Sequence, residues 1–327
     1  GSNFFFVQSR IHEIRPFPSY ICEKKAGHTL TNGMSHAIIS AKEMVWMLSV
    51  GISTVGKTVD AALFDAYAAA GIAAMEISQK DYTTFDFAAA AKEAARAGVR
   101  LWSLHLPFYP FDAVDISSLD EDLRTRSVQL NADIIRRAAA VGIDKFVIHA
   151  SGEPIADDKR SERMSRAKES LAALADVCEK SSVRLCVEDL PRTCLGHSIA
   201  DMQTLLEDSR LFCCFDTNHI TVEKPQDVIR ALGARIATLH VSDFDFVNER
   251  HWLPGEGKIE WAAVVTALDA IGYDGVWMYE IATACPKTIY RDRDLTCVDF
   301  RRNACEILNG KAPTVFSRPK VPLGMWE

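Results

Sequence analysis

The chain has 327 residues, 48% of them hydrophobic and 25% charged, with a formal net charge of -7 and a mean hydropathy of -0.01. This is a globular composition with ample material for a core, which excludes disordered, collagen-like and membrane-embedded classes. The acidic balance, with a pI of about 5.8, offers no general attraction to phosphate backbones or anionic lipid, so neither nucleic acid nor a membrane is expected as a partner.

At roughly 150 residues per domain the length suggests about two domains, with α/β barrels of about 250 residues as the recognised exception. Nine cysteines are an odd number without a CxxC pair, so they read as reduced packing residues of a cytoplasmic protein. The start, GSNFFFVQSRIHEIRPF, has three consecutive phenylalanines but then turns charged, unlike a secretory signal. Residues 1–46 form an N-terminal extension without regular pattern.

From Met47 the pattern becomes regular. Short apolar runs predict strands at 47–53, 73–78, 100–108, 145–151, 184–190, 211–217, 236–243 and 275–281. Their near-continuous apolar character suits strands buried on both faces, as in a parallel sheet. Between them the three- and four-residue spacing of apolar positions predicts helices at 58–70, 85–97, 119–140, 159–180, 199–207, 225–232, 260–271 and 292–308. Glycines at 71, 98, 142, 233 and 272 stand where left-handed helix ends prefer them. Eight alternations predict a single-domain (β/α)8 TIM barrel over 47–308, with no GxGxxG after the first strand to favour an open sheet. The tail, 309–327, has three prolines and is expected to be a strap across the barrel or a partner contact.

Active sites of such barrels lie at the C-terminal ends of the strands. The polar residues at those ends are Glu76, His105, His149, Glu188, Asp216, His240 and Glu280. Glu188, Asp216, His240 and Glu280 come from the fifth to eighth strands, so they line one half of the barrel mouth. Three converging carboxylates would repel one another without a cation. The set predicts one bound divalent ion, with Mn2+, Mg2+, Co2+ and Zn2+ all compatible with its oxygen and nitrogen donors.

VEDLPRT (187–193), FDTNH (215–219), LHVSD (239–243), HWLPGEGKIEW (251–261) and MYEI (278–281) resemble, in order and spacing, the xylose isomerase-like barrel superfamily of sugar isomerases and epimerases. The resemblance runs from about Val50 to Ala282. It implies that Glu188, Asp216, His240 and Glu280 are the metal ligands and that Glu188 and Glu280 are also the catalytic acid/base pair. A metal-dependent isomerase or epimerase of sugars, sugar phosphates or sugar acids would then move a proton beside a carbonyl through a metal-stabilised enediolate. The partner is a small-molecule carbohydrate, and a homo-oligomer is compatible with the sequence. His219 is implied as a donor to a substrate oxygen, and His251 joins the substrate-binding set. His105 and His149 bind either substrate or a further metal. Arg192 either receives a carboxylate or phosphate or is solvated, and Trp102, Phe108 and Trp252 either wall the pocket or belong to the core.

Two departures separate the chain from the ketohexose 3-epimerases of the superfamily. Where those have a glutamate six residues after the first ligand and an arginine six after the ligand histidine, this chain has Cys194 and Phe246. An apurinic-site endonuclease branch uses three zinc ions, and its pattern overlaps this one at His105, His149, Glu188, Asp216, His219, His240 and Glu280, with Glu249 and His251 in place of an Asp-x-His pair. The acidic residues Asp112, Asp115, Asp120, Glu121 and Asp122 after His105 are unsuited to a phosphodiester-binding face. A dehydratase or lyase of the superfamily, and a non-catalytic barrel used for binding, are the remaining alternatives.

Overall fold

The computed structural model describes residues 48–324. The N-terminal extension at 1–46, the expected strand start at Met47 and the last three residues lie outside the described residues. The strands are β1 Ser49–Ser53, β2 Ala74–Ser78, β3 Arg100–His105, β4 Lys145–His149, β5 Arg184–Glu188, β6 Leu211–Asp216, β7 Ile236–His240 and β8 Val276–Tyr279. The helices that alternate with them are α1 Ala61–Ala69, α2 Phe87–Ala97, α3 Glu121–Ala139, α4 Asp157–Lys180, α5 Ile199–Leu205, α6 Pro225–Leu232, α7 Trp261–Ala270 and α8 Cys297–Leu308. Every expected element is present; most are shortened at their ends where the chain enters a loop, α6 keeps its expected bounds, and α4 starts two residues earlier than expected.

From β1 to β7 each strand pairs in parallel with the next, and β1 also pairs with β8. The ring closes between β7 and β8, where Val241 N donates to Met278 O at 2.8 Å. It is a TIM barrel. The helices begin where short acidic or hydroxyl side chains can cap them: Asp60, Asp86, Asp120 and Ser198 accept from backbone N–H groups in the first turns of α1, α2, α3 and α5. Asp120, part of the acidic run after His105, therefore has a structural use, and Asp115 pairs with Arg163 of α4. Thr296 and Asp299 form a capping box at α8. Gly98 ends α2 at φ 69°, a conformation that glycine adopts without steric cost.

The main core lies between the strands and the ring of helices. Inside the barrel, below the rim, Ala74, Trp102, Val276 and Met278 pack together. Trp102 donates to Thr238 Oγ1 at 2.9 Å, and the Lys145 ammonium sits 3.6 Å from its ring centroid. Of the two roles open to Trp102 the structure assigns the core. Three residues before His105 in the same strand, it lies too deep to reach the mouth.

The tail behaves as a strap. A further pair of short strands, β9 Ile289–Arg291 and β10 Ser317–Pro319, run antiparallel, tying the tail to the loop after β8. Arg250 of the β7–α7 loop donates to the Gly324 carbonyl at 2.7 Å, and Arg291 makes a buried pair with Glu256 at 2.9 Å. Seven of the described cysteines are free, but Cys305 is in a disulfide, which corrects the expectation of wholly reduced thiols. An odd count without a spaced pair carries no signal of a contact that only the fold creates. Among the described residues, no helix is long and apolar enough to cross a membrane.

Candidate metal centre

The register brings the strand-end residues to one level. His149 of β4 stands beside Glu188 of β5, and Asp216 of β6 beside His240 of β7. One irregularity in the β2–β3 ladder puts Glu76 beside Ser103, and one in the β6–β7 ladder precedes the Asp216–His240 pair. Such irregularities re-aim the side chains that follow them.

Ligand atoms of Glu188, Asp216, His240 and Glu280 lie within 4.8 Å of one another, and all four residues are buried. Glu188 is at the centre. Its Oε1 is 2.7 Å from His240 Nδ1, and its Oε2 is 3.0 Å from His105 Nε2 and 3.1 Å from His149 Nε2. Glu280 Oε2 lies 3.4 Å from His240 Nδ1. Asp216 Oδ1 accepts from the Asn218 backbone at 2.7 Å, whereas its buried Oδ2 has no hydrogen-bond partner. A buried carboxylate oxygen without a donor is costly, and a cation held among three carboxylates and an imidazole would satisfy it. The residues therefore fit a divalent ion.

The same cluster pushes two carboxylates in opposite directions. Burial would raise Glu188, but the charge and hydrogen bonds of His240, His105 and His149 hold it well below the usual carboxylate range. Burial raises Glu280, and the charge of Glu188 adds to the rise, although His240 opposes it. Burial would lower His105, yet hydrogen bonding to Glu188 lifts it to about 9. Burial prevails at His149, which is lowered.

The remaining expected residues surround this centre. Phe108 is 38% exposed and stacks on His149 with ring centroids 4.2 Å apart, so it walls the mouth. Trp252 is buried, and its indole N–H donates to Thr288 Oγ1; it belongs to the core beneath the β7–α7 loop. His219 Nδ1 contacts the Asp189 carbonyl at 2.7 Å, while its Nε2 lies 3.4 Å from Glu249 and 3.7 Å from Asp216. His251 Nδ1 lies 3.1 Å from the Glu280 carbonyl, and its Nε2 is 3.9 Å from Glu249. Arg192, at φ 55°, is neither solvated nor open to the mouth alone. It pairs with Glu153 and, at 2.7 Å, with Glu249, and donates to Asn248 Oδ1 at 2.9 Å.

Sequence reasoning left three site residues without a role. Glu76 contacts His240 Nε2 at 3.0 Å, and its only signal was its place at a strand end. Asp189 accepts from the Asp216 backbone at 2.7 Å, and burial raises its carboxyl well above the usual range. Adjacency to Glu188 was its only mark. Lys57, in the β1–α1 loop, donates to the Ser53 carbonyl at 3.2 Å, and burial lowers it to about 8; nothing in its sequence context distinguishes it.

Known proteins place this geometry in a family. The xylose isomerase-like TIM barrel model matches residues 64–295. The chain belongs to this family. Within it, the chain is 26% identical over 177 residues to an uncharacterized protein of Methanocaldococcus jannaschii, covering 51% of this chain and 60% of that protein. It is 28% identical over 215 residues to the L-ribulose 3-epimerase of Mesorhizobium japonicum, covering 62% and 69%. The chain thus spans about three fifths to two thirds of the length of these curated relatives. A crystal structure of a D-tagatose 3-epimerase-like protein superposes with a TM-score of 0.69 at 21% identity, over 80% of this chain and 97% of that one. At that identity the likeness shows the barrel fold.

Proposed function

We propose that this xylose isomerase-like barrel is a divalent-metal-dependent isomerase or epimerase of sugars. The observation that carries the reading is the convergence of Glu188, Asp216, His240 and Glu280 at the strand ends, with the two glutamates pushed apart in acidity. Two titratable groups driven in opposite directions are suited to separate acid and base roles. The activity named for the Mesorhizobium relative is what brings a ketose to the reading.

Glu188, Asp216, His240 and Glu280 would hold the ion. When bound, it would polarise the carbonyl and hydroxyl oxygens of the sugar and stabilise enediolate charge. Glu280, on one side of the centre, takes the proton next to the carbonyl, and Glu188 returns or removes one from the other side. Return to the same carbon on the opposite face gives an epimer; return to the neighbouring carbon gives an isomer. His149, His219 and His251 line the mouth as donors to sugar oxygens, the Phe108 ring presents an apolar wall to a sugar face, and His105, with both ring nitrogens engaged by the Leu106 carbonyl and Glu188, orients Glu188 instead of touching the sugar. As a receptor for an anionic substrate group, Arg192 would have to exchange Glu153 or Glu249 for it, so this edge of the mouth favours a neutral sugar.

The test is solvent deuterium incorporation into ketoses, aldoses, inososes and their phosphates in the presence of Mn2+, compared between the wild type and Glu280→Gln. The expected outcome is incorporation by the wild type into one substrate class and loss of at least about a hundredfold in the variant. Unchanged exchange in the variant would remove Glu280 from the base role.

A second reading has a specific observation behind it. His105, His149 and Glu188 form one further group with ligand-atom separations within 4.8 Å, and His219, Glu249 and His251 another. Three adjoining sites would suit the zinc-dependent cleavage of a phosphodiester beside an abasic position. The net charge of -7 and the carboxylates bound to Arg192 weigh against a nucleic-acid face. Metal analysis of washed protein separates the two readings: about one ion per chain supports the sugar isomerase, and about three, with nicking of abasic DNA, supports the hydrolase.

A further inference from the structure

Glu76 is fully buried on β2, opposite the four-residue ligand set, and neither proton transfer nor ligation as described above uses it. Its carboxylate reaches across the barrel interior to His240, 164 positions away in sequence, with Oε2 3.0 Å from Nε2. The same oxygen accepts from the Ser103 hydroxyl at 2.7 Å. The other ring nitrogen of His240, Nδ1, points into the centre, 2.7 Å from Glu188 Oε1 and 3.4 Å from Glu280 Oε2. A singly protonated imidazole has one N–H and one lone pair, and the partner of one nitrogen decides which is which. An ionised carboxylate can only accept. Both ring nitrogens face a carboxylate, so a cation entering the centre would take the place of the Nδ1 proton, and Glu76 beside Nε2 would hold the remaining N–H on the side away from the centre.

We propose that Glu76, held by Ser103, is a positioning residue that fixes the tautomer and ring orientation of His240, so that Nδ1 is the atom offered to a divalent cation. The proposal rests on the metal-centre reading for its purpose, but its geometric content concerns only the ring of His240. Glu76 touches no substrate and transfers no proton; it acts through His240. A buried negative charge on the far nitrogen also makes Nδ1 a stronger donor, and loss of such a partner weakens metal binding by about 10- to 100-fold.

The test compares wild type, Glu76→Gln, Glu76→Ala and Ser103→Ala in two measurements. One is the dissociation constant for Mn2+ and for Zn2+, by chelator competition on metal-stripped protein. The other is the protonation pattern of the His240 ring, from long-range nitrogen–proton spectra of histidine-labelled protein. These spectra are recorded with Zn2+ bound and without metal; the His240 signals are assigned by their loss in His240→Gln.

In the wild type with Zn2+ bound the proton is expected on Nε2, with the signal shift of a hydrogen bond to a carboxylate. Glu76→Ala is expected to weaken metal binding by about 10- to 100-fold and to remove the hydrogen-bonded shift of the Nε2 proton. Glu76→Gln keeps an acceptor and is expected to retain the tautomer with a smaller loss of affinity, and Ser103→Ala is expected to show the smallest change. If Glu76→Ala fails to fold, the graded losses in the glutamine and Ser103 variants carry the test. Wild-type affinity in both of these, or a proton on Nδ1 in the Zn2+-bound wild type, overturns the proposal. Should the wild type bind neither metal, the metal-centre reading fails by itself, and an Nε2 proton signal shifted in the metal-free wild type but not in Glu76→Ala still decides whether Glu76 holds the ring.

Discussion

The two ends of the barrel interior meet buried charge in opposite ways. At the lower end Lys145 is buried, but its ammonium lies over the Trp102 ring and 2.9 Å from Asp144, and Arg100 covers Trp102 with its guanidinium carbon 4.5 Å from the ring centroid. The cations there are satisfied within the protein. At the upper end the three carboxylates of the proposed centre converge around one imidazole, and a buried oxygen of Asp216 is left without a donor. A buried charge that is satisfied internally contributes to the fold, whereas converging carboxylates with a buried acceptor left over suit the proposed metal centre. The division matches the general assignment of stability to the bottom and chemistry to the top of this architecture.

Substitutions at the two ends should therefore separate function from stability. The largest effect is expected from Glu188→Gln, which removes the charge shared by His105, His149 and His240. Metal-dependent deuterium exchange should fall by about a thousandfold or more, and saturating metal should no longer raise the unfolding free energy. In the wild type that increment is about 2.7 kcal/mol at a metal concentration 100 times the dissociation constant. Calorimetric unfolding with and without Mn2+ measures it, and an unaltered increment in the variant would place the ion elsewhere.

At the lower end, Trp102→Ala should cost about 3–5 kcal/mol, as expected for a buried tryptophan that leaves a cavity, while metal affinity stays within about twofold. Urea unfolding alongside metal titration reads both quantities. A large loss of metal affinity with little loss of stability would dissolve the distinction between the two ends.

The smallest effect is expected away from both. Burial opposes ionisation of Asp201, but hydrogen bonds from His197, the Gly196 backbone and Arg160 lower it to about 2. Its stabilisation is complete above the unfolded value of about 3.8 and is lost as pH falls through about 2. Partial exposure screens the interaction, leaving on the order of 1–2 kcal/mol. In Asp201→Asn the fall in melting temperature between pH 4 and pH 2 should be shallower than in the wild type. Parallel curves would show that this cluster contributes nothing to acid sensitivity.

Much of the site was legible in the residue order because a barrel strand delivers its last residue to the rim whatever lies beside it. Glu188, Asp216, His240 and Glu280 could be read from apolar runs that stop on a ligand-type residue. The aromatic residues were not legible in the same way. Trp102 and Phe108 are six positions apart in one segment, yet one fills the interior and the other stacks over His149. Depth along a strand decides between them, and composition does not encode depth. Arg192 was open to two readings, and neither included Glu153 and Glu249, which come from separate loops.

The alternation of eight buried strands with eight amphipathic helices, and the identity of the residues at the strand ends, were determined by the sequence itself. These depend on local periodicity and on where each apolar run stops. The tertiary structure alone decided which of those residues touch: Glu76 with His240, Glu249 with His219, and the tail with the loop after β8. Such contacts depend on ladder register, ring closure and the angle of each side chain across the barrel, quantities that arise only when distant strands have been brought to the same level.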